Sequence, residues 1–595
     1  MAFQVSPGVN VTEIDKTERV SPVVTSAAVI AAGFKWGPVD KITTITSERE
    51  LVSTYGKPDG DTAANWLTAS SFLAYGGSLQ VIRTVGTDAA NGHTNTDNEA
   101  TVNLIRNEDE YDAGATLGNG AFVARYPGAL GNSLQIGVFH DGTFADWKRN
   151  YIQNGISTSV DYSSLFDRAP GTSNYVLTKN GVVSIGDEIH IVVVDRTGDI
   201  SGIPGTILEK YAHVSLASDA KDENGNSNYH RDVIRRNSKY IYSTGNWSDG
   251  GETIDTEWDA ITSTTTDNVV DISTPLDLDI ELGAAGNNNS YGNGDAARYT
   301  ADQKGYGLLR DTDTTDVGII ISGDASSTLQ GQLISDVAEY RKDAIAVISP
   351  ERGTAKTAVI STGTNSTKAD ALVVWANALT SSSYGVADSG YKRMYDAYND
   401  VYRDVPLNGD IAGLMVRTEN NQDAWWSPAG FTRGQIKNVV KLHFNPDKAA
   451  RDSIYKAGVN PVVSMPGQGT LLYGDKTLLS KPSAFDRINV RRLFVVLEKS
   501  ISRAARNLLF EFNDEFTRAS FKNMVEPFLR NIKARRGVYD YLVICDSTNN
   551  TSEVIDRNEF VGDIFIKPAR SINFIQLNFV AVRSGVEFSE VVGSV

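Results

Sequence analysis

The stretch nearest to a ligand-binding motif is Gly469-Thr470-Leu471-Leu472-Tyr473-Gly474-Asp475-Lys476-Thr477, which approaches a phosphate-binding P-loop. In that motif a lysine directly follows the last glycine, so that it reaches the phosphates from the first helical turn. Here Asp475 intervenes, shifting the register and adding a negative charge. The glycines around Gly283 and Gly286 follow no regular strand and make no better cradle. Six histidines, His93, His140, His190, His213, His230 and His443, show no i, i+4 pairing, and Cys545 is the only cysteine, so a zinc site has no basis. Cys545 follows Leu542, Val543 and Ile544, the setting of a small buried hydrophobe rather than a reactive thiol. No G-x-S-x-G elbow is present. Trp425-Trp426, beside Ser427-Pro428-Ala429-Gly430, reads as a core anchor entering a turn rather than a ligand platform. Catalytic, cofactor and metal residues are therefore expected to be none.

Charge narrows the partners. The net charge of −17 opposes general nucleic-acid binding, which needs a concentrated basic surface. It is unevenly shared: residues 486–595 hold 16 Lys+Arg against 14 Asp+Glu, so the rest of the chain carries the whole excess of acid. Arg518, Lys522, Arg530 and Lys533 lie mostly outside the apolar stripe of their helix, and Arg535-Arg536 follow. They form either a solvated face or a docking surface for an acidic partner. No apolar run of about 18 residues and no signal-like N-terminus occurs, so synthesis in the cytoplasm without membrane insertion is expected.

The elements that would position these residues define a multidomain α/β (α+β) protein, since 595 residues exceed a single core. Residues 1–20 read as an extended arm, with Val5, Val9 and Val11 spaced around a Ser6-Pro7-Gly8 bend. Residues 21–86 alternate strands (Thr25 to Ala32, Lys41 to Thr46, Leu79 to Val85) with a helix near Asn65 to Tyr75. Residues 87–305 are polar and loop-rich, with short runs such as Ser133 to Phe139 and Ile189 to Val194, and read as inserted β-rich domains. The α/β pattern returns over 306–485, with strands at Val317 to Ser322 and Ala344 to Ile348 around a helix near Gln330 to Arg341. The core is thus expected to be split in sequence.

Residues 486–595 are the most regular stretch. Leu493, Leu497, Ile501, Ala504 and Leu508 recur every three or four positions, with Asp486 as N-cap. A second helix from Asp514 to Lys533 repeats the pattern and contains Pro527. A short buried strand is expected from Tyr539 to Cys545, and an alternating one from Ile572 to Arg583. The tail 584–595, carrying Val586 and Phe588, reads as a strand for another subunit.

Several motifs resemble the contractile phage tail sheath proteins: Ser6-Pro7-Gly8-Val9 with Glu13, Tyr126-Pro127-Gly128, Ile348-Ser349-Pro350, Trp426-Ser427-Pro428-Ala429-Gly430 and Gly467 to Leu478. Asn489-Val490-Arg491-Arg492-Leu493, Glu553 to Asn558 and Ile566 to Asn573 are similar to the sheaths of T-even-type myophages. The resemblance is weakest between about 220 and 310. It implies a homopolymer of stacked six-membered rings around a tail tube, metastable when extended and shortening when the baseplate releases it. It further implies outward-facing insertions, an inner C-terminal domain against the tube, and contacts with baseplate and tail terminator proteins. The expected location is the virion tail, assembled in the host cytoplasm, with no cofactor and no direct nucleic-acid contact. Val5, Val9, Val11, Val586 and Phe588 become the expected strand-exchange residues, and Arg518, Lys522, Arg530 and Lys533 the tube-facing cations. The other readings are a cytoplasmic nucleotide-binding α/β enzyme using the Gly469 to Thr477 loop, and a non-contractile tube or lattice protein.

Overall fold

Ile319-Ile320-Ile321 and Ile345 to Ile348 carry no polar side chain, which a strand tolerates when both of its faces are covered. In the computed structural model they lie in the middle of a seven-stranded sheet with apolar packing on each side. The structure describes residues 25–94, 104–114, 121–139, 148–153, 156–180, 186–244, 247–249, 252–254, 276–279 and 291–573. The sheet strands are β1 (Ala27–Ala32), β2 (Ile42–Ile45), β3 (Ser78–Arg83), β4 (Ile319–Ile321), β5 (Ile345–Ile348), β6 (Gly385–Asp388) and β7 (Val459–Asn460). Their order is β2-β3-β1-β4-β5-β6-β7, parallel except for β2 against β3. Strands from 27–83 and 319–460 therefore share one sheet, joined where Ala28 pairs with Ile319.

The pleat sends alternate residues to opposite layers. Ala28, Ile30, Ile319 and Val347 pack with helices α1 (Ala63–Leu73) and α2 (Asn408–Asn421). Val29, Ala31, Ile320 and Ala346 face the helical run Ser327–Gln332, continued with wider π-type turns over Leu333–Glu339, and the helix Asn365–Ala378. The helices Glu48–Tyr55, Asn365–Ala378 and Asn408–Asn421 are additions to the sequence reading, whose polar residues obscured a helical stripe.

Within the inserted stretch, Leu134–Phe139, Glu188–Asp195, Thr206–Ser215 and Leu276–Asp279 form a four-stranded antiparallel sheet over a separate apolar cluster. Arg83 ties it to the main sheet, donating to Phe34 O and Gly37 O at 2.8 Å and to Pro127 O.

Towards the C-terminus, α3 (Ile488–Ala505) and α4 (Glu515–Ala534) pack Leu493, Leu497, Phe521, Val525 and Leu529 together with Trp425. Asp514 caps α4, accepting from Thr517 N at 2.8 Å, and the helix continues through Pro527. Asp486 is not the cap of α3: Arg487 holds that position, and the Ile488 N–H donates to the Asp475 carbonyl at 2.8 Å. The expected buried strand is β8 (Val538–Ile544), covered on one face only, by α3 and α4, and paired among the described residues with β9 (Asp563–Pro568) alone. Ser571, Ile572 and Asn573 are in no strand, and the remainder of the expected strand to Arg583 lies outside the described residues.

Candidate subunit-linking surface

β8 and β9 pair antiparallel, with Tyr541 opposite Ile566, Leu542 opposite Phe565 and Val543 opposite Ile564. Strand periodicity then separates two faces. Tyr541, Val543, Ile564 and Ile566 pack on α3 and α4, whereas Leu542 and Phe565 are each 56% exposed on the other side. Among the described residues neither outer edge of the ribbon is paired with a further strand, and such an edge is the template for adding a strand from another chain.

Both ends of the described chain are fastened near the first turns of α3. At the N-terminal end, Thr25 N donates to Glu419 Oε1 at 2.8 Å, and Arg492 donates to the same carboxylate and to Thr25 Oγ1. At the C-terminal end, Ser571 Oγ donates to Asp475 Oδ2 at 2.6 Å, and Asn489 Nδ2 donates to Ala569 O at 3.2 Å. Asp475 also accepts from Ser427 Oγ and Arg487 Nη1, each at 3.1 Å. Arg487 in turn reaches Tyr455 OH at 2.6 Å and the Asn573 amide oxygen. Of the charged members of these anchors, Glu419 and Arg487 were not singled out from sequence, while Asp475 was noted only as breaking a motif and Arg492 only as part of a resemblance. The signal for Arg487 and Arg492 was the mixture of ionic and apolar residues in Arg487-Ile488-Asn489-Val490-Arg491-Arg492.

Val5, Val9, Val11, Val586 and Phe588 lie outside the described residues. The cations of α4 are described. Lys522 pairs with Glu526 at 3.8 Å, Lys533 with Asp540 at 2.9 Å, and Arg518 donates to Asn513 Oδ1 at 3.3 Å. Arg530 is exposed and in no ion pair among the described residues. The flank is thus basic but partly neutralised by its own neighbours.

The P-loop resemblance dissolves in the fold. Gly469–Leu472 is a strand paired with Val462–Met465, and Lys476 Nζ donates to the Tyr455 carbonyl at 2.8 Å. Asp475, the residue that broke the motif, is the buried anchor just described. Trp425 is buried, its Nε1 donating to Arg535 O at 3.2 Å, as a core anchor should be. Cys545 is buried too, and burial pushes its thiol pKa up.

An α/β sheet of this topology offers a ligand crevice at its switch point, beyond the carboxyl ends of β1 and β4. Here the chain fills it. The buried Arg298 donates through Nε to Ala31 O at 2.8 Å, through Nη1 to Asp324 O at 3.0 Å, and also to Ser322 O. Asn293 Oδ1 accepts from Gly33 N at 3.1 Å, and a Cβ on Gly33 would stand 1.8 Å from Tyr291 O. A cleft of about 530 Å³ beside it is lined by Asn65, Asp324, Arg352, Lys356 and Arg403. Its cations are engaged: Lys356 with Asp324, Arg352 with Asp295 and Arg403 with Asp396. No cluster of metal-ligating side chains occurs among the described residues, and no helix there is long and apolar enough to cross a membrane.

Comparison with known proteins yields two family matches: the phage tail sheath protein central domain over residues 314–478, and the phage tail sheath C-terminal domain over residues 480–581. The chain is 34% identical to the tail sheath protein of Vibrio phage KVP40, with 99% of each chain covered. It is 33% identical to the tail sheath protein of Enterobacteria phage T4, again over 99% of both. The crystal structure of a sheath tail protein from Listeria innocua shares the fold at a TM-score of 0.50 and 10% identity, covering 92% of this chain and 96% of that one.

Proposed function

The chain belongs to the phage tail sheath proteins, and on that premise we propose that the β8–β9 ribbon is where neighbouring subunits of a contractile sheath are joined. It is a structural subunit of the virion tail sheath. The segments on either side of the described core, 1–20 and 584–595, add strands to the ribbons of adjacent copies, with Val5, Val9, Val11, Val586 and Phe588 setting register. The observation that carries this reading is the ribbon, two-stranded among the described residues, with Leu542 and Phe565 on its exposed face. Each added strand contributes ~1 to 4 kcal/mol through cross-strand pairs. One link is weak, but a lattice of six-membered rings repeats it many times, and it survives while the subunit bodies rotate.

Contraction then draws on contacts between subunit bodies that differ between the extended and contracted lattices, without nucleotide hydrolysis. The α4 flank of Arg518, Lys522, Arg530 and Lys533 faces the acidic surface of the tail tube in the extended state, and the inserted domains face outward. Baseplate and terminator proteins cap the two ends of the stack. Electron microscopy of the purified full chain tests the core of this: tubular polymers with two lattice geometries are expected. A chain lacking residues 1–15 is expected to lose them. Normal tubes from that deletion overturn strand exchange, and a single fixed geometry favours a non-contractile lattice protein.

A further inference from the structure

The turn between α3 and α4 and the first turn of α4 expose Leu509, Phe510, Phe512 and Phe516 by 62, 103, 82 and 82%. Four such side chains make an apolar patch of roughly 500 Å², as large as a soluble monomer normally presents. Phe510 holds a φ of 72°, a left-handed conformation rare for a bulky residue, with its ring wholly in solvent. The turn is also held in place. Asn513 Nδ2 donates to Asn550 Oδ1 at 3.1 Å and to Glu559 O at 2.8 Å, beside the Asp514 cap of α4. Aromatic residues are thus interleaved with acidic ones, of which Glu511 and Glu515 are exposed and in no ion pair among the described residues.

The other end of the same domain has the opposite sign. Beyond the last turn of α4, Ala569 N donates to Gly537 O at 3.1 Å, which sets Arg570 beside Arg536. Both are exposed and in no ion pair among the described residues, whereas Lys533 and Arg535 are paired internally with Asp540 and Asp423. A helix of 20 residues, about 30 Å long, separates the two ends.

We propose that the acidic aromatic turn of one copy seats on the Arg536–Arg570 end of a second copy, a head-to-tail contact distinct from strand exchange. The occupant is a second copy because its complementary charge lies on this same domain. A patch that meets a different patch on an identical neighbour also propagates into rings or helices instead of closing as a dimer. The rings hold the apolar area and the charges fix direction. The inference rests on the sheath reading, since it adds an interface to the same polymer.

Charge reversal tests it in the full-length protein. Glu511→Arg with Glu515→Arg, and separately Arg536→Glu with Arg570→Glu, are each expected to raise the concentration needed for polymerisation about tenfold. An equimolar mixture of the two reversed proteins is expected to co-polymerise, because each acidic or basic end again meets its opposite. The chain carrying all four changes is expected to polymerise alone. Polymerisation of either reversed protein at the wild-type threshold overturns the proposal. So does a mixture and a four-fold variant that both stay unassembled while circular dichroism shows them folded. If the wild-type protein itself forms no tubes, the sheath reading fails first and separately.

Discussion

Asp388 closes β6 inside the core, where its carboxyl accepts from Ser349 Oγ at 2.7 Å and from Gly390 N at 3.0 Å. Two neutral donors do not offset the loss of water, and burial pushes its pKa up to about 8. The native state therefore holds a proton that the unfolded chain releases at about pH 4. Stability from this group is complete below about pH 4 and is lost as pH rises towards about 8. The apparent unfolding temperature, taken at one scan rate, is expected to fall by at least about 5 °C between pH 5 and pH 8. Asp388→Asn is expected to reduce that fall substantially, and an unchanged pH profile in the variant would assign the dependence elsewhere. Sequence gave no hint of Asp388, because a protonated aspartate and an ionised one are written alike. Asp475 was visible only as the residue spoiling a motif. Its partners Ser427, Arg487 and Ser571 are far apart in the chain, and only the fold brings them to one carboxylate.

Among the elements, strands were legible where two-sided burial makes an unbroken run of large apolar residues, and not at Gly385–Asp388, which is as buried but carries Gly385 and Asp388. Ile319–Ile321 and Ile345–Ile348 stand out as apolar runs of strand length. Asn408–Asn421 did not, because buried Asn408 and Asp410 interrupt its stripe; Asn408 Nδ2 donates to Ser322 Oγ at 3.0 Å and Asp410 accepts from Lys392 Nζ at 2.9 Å, contacts that only the fold supplies. β9 was missed for a related reason. In Asp563–Pro568 the residues Ile564, Phe565 and Ile566 are apolar on both faces, which removes the alternation that announces a strand. The contact between Asp475 and Ser571 carries an expectation at this scale. Asp475→Ala removes the acceptor for Ser571 and the nearer of the two carboxylates of Arg487, leaving it Asp486 at 3.7 Å, so the peptide after Arg570 should come free. Trypsin cleavage there is expected to accelerate several-fold in native buffer, with the sheet core still folded. An unchanged cleavage rate would mean that the ribbon alone holds that segment.

At the scale of the whole molecule, the split core follows from sheet pairing: residues 27–83 and 319–460 supply adjacent strands, and the β-rich material between them packs its own cluster. The acidic body and the near-neutral C-terminal region were readable directly from composition. What composition could not convey is that Lys522 and Lys533 spend part of their charge on Glu526 and Asp540. If the α4 flank meets an acidic tube, Lys522→Glu with Lys533→Glu should weaken tube-templated assembly about tenfold at 50 mM salt and far less at 500 mM, where screening flattens the difference. Equal assembly of the variant and wild type at low salt would remove the flank from the tube contact.

Arg298 has one more consequence. A crevice closed by a diffusible molecule opens on dilution, so the protein's stability follows the concentration of that molecule. The guanidinium at this switch point is tethered to the chain whose carbonyls it binds, and its effective concentration is fixed by covalent connection. Closure of the sheet is therefore the same inside a host cell and in the dilute medium outside it. A subunit that must keep one shape across both settings has its keystone carried in its own sequence.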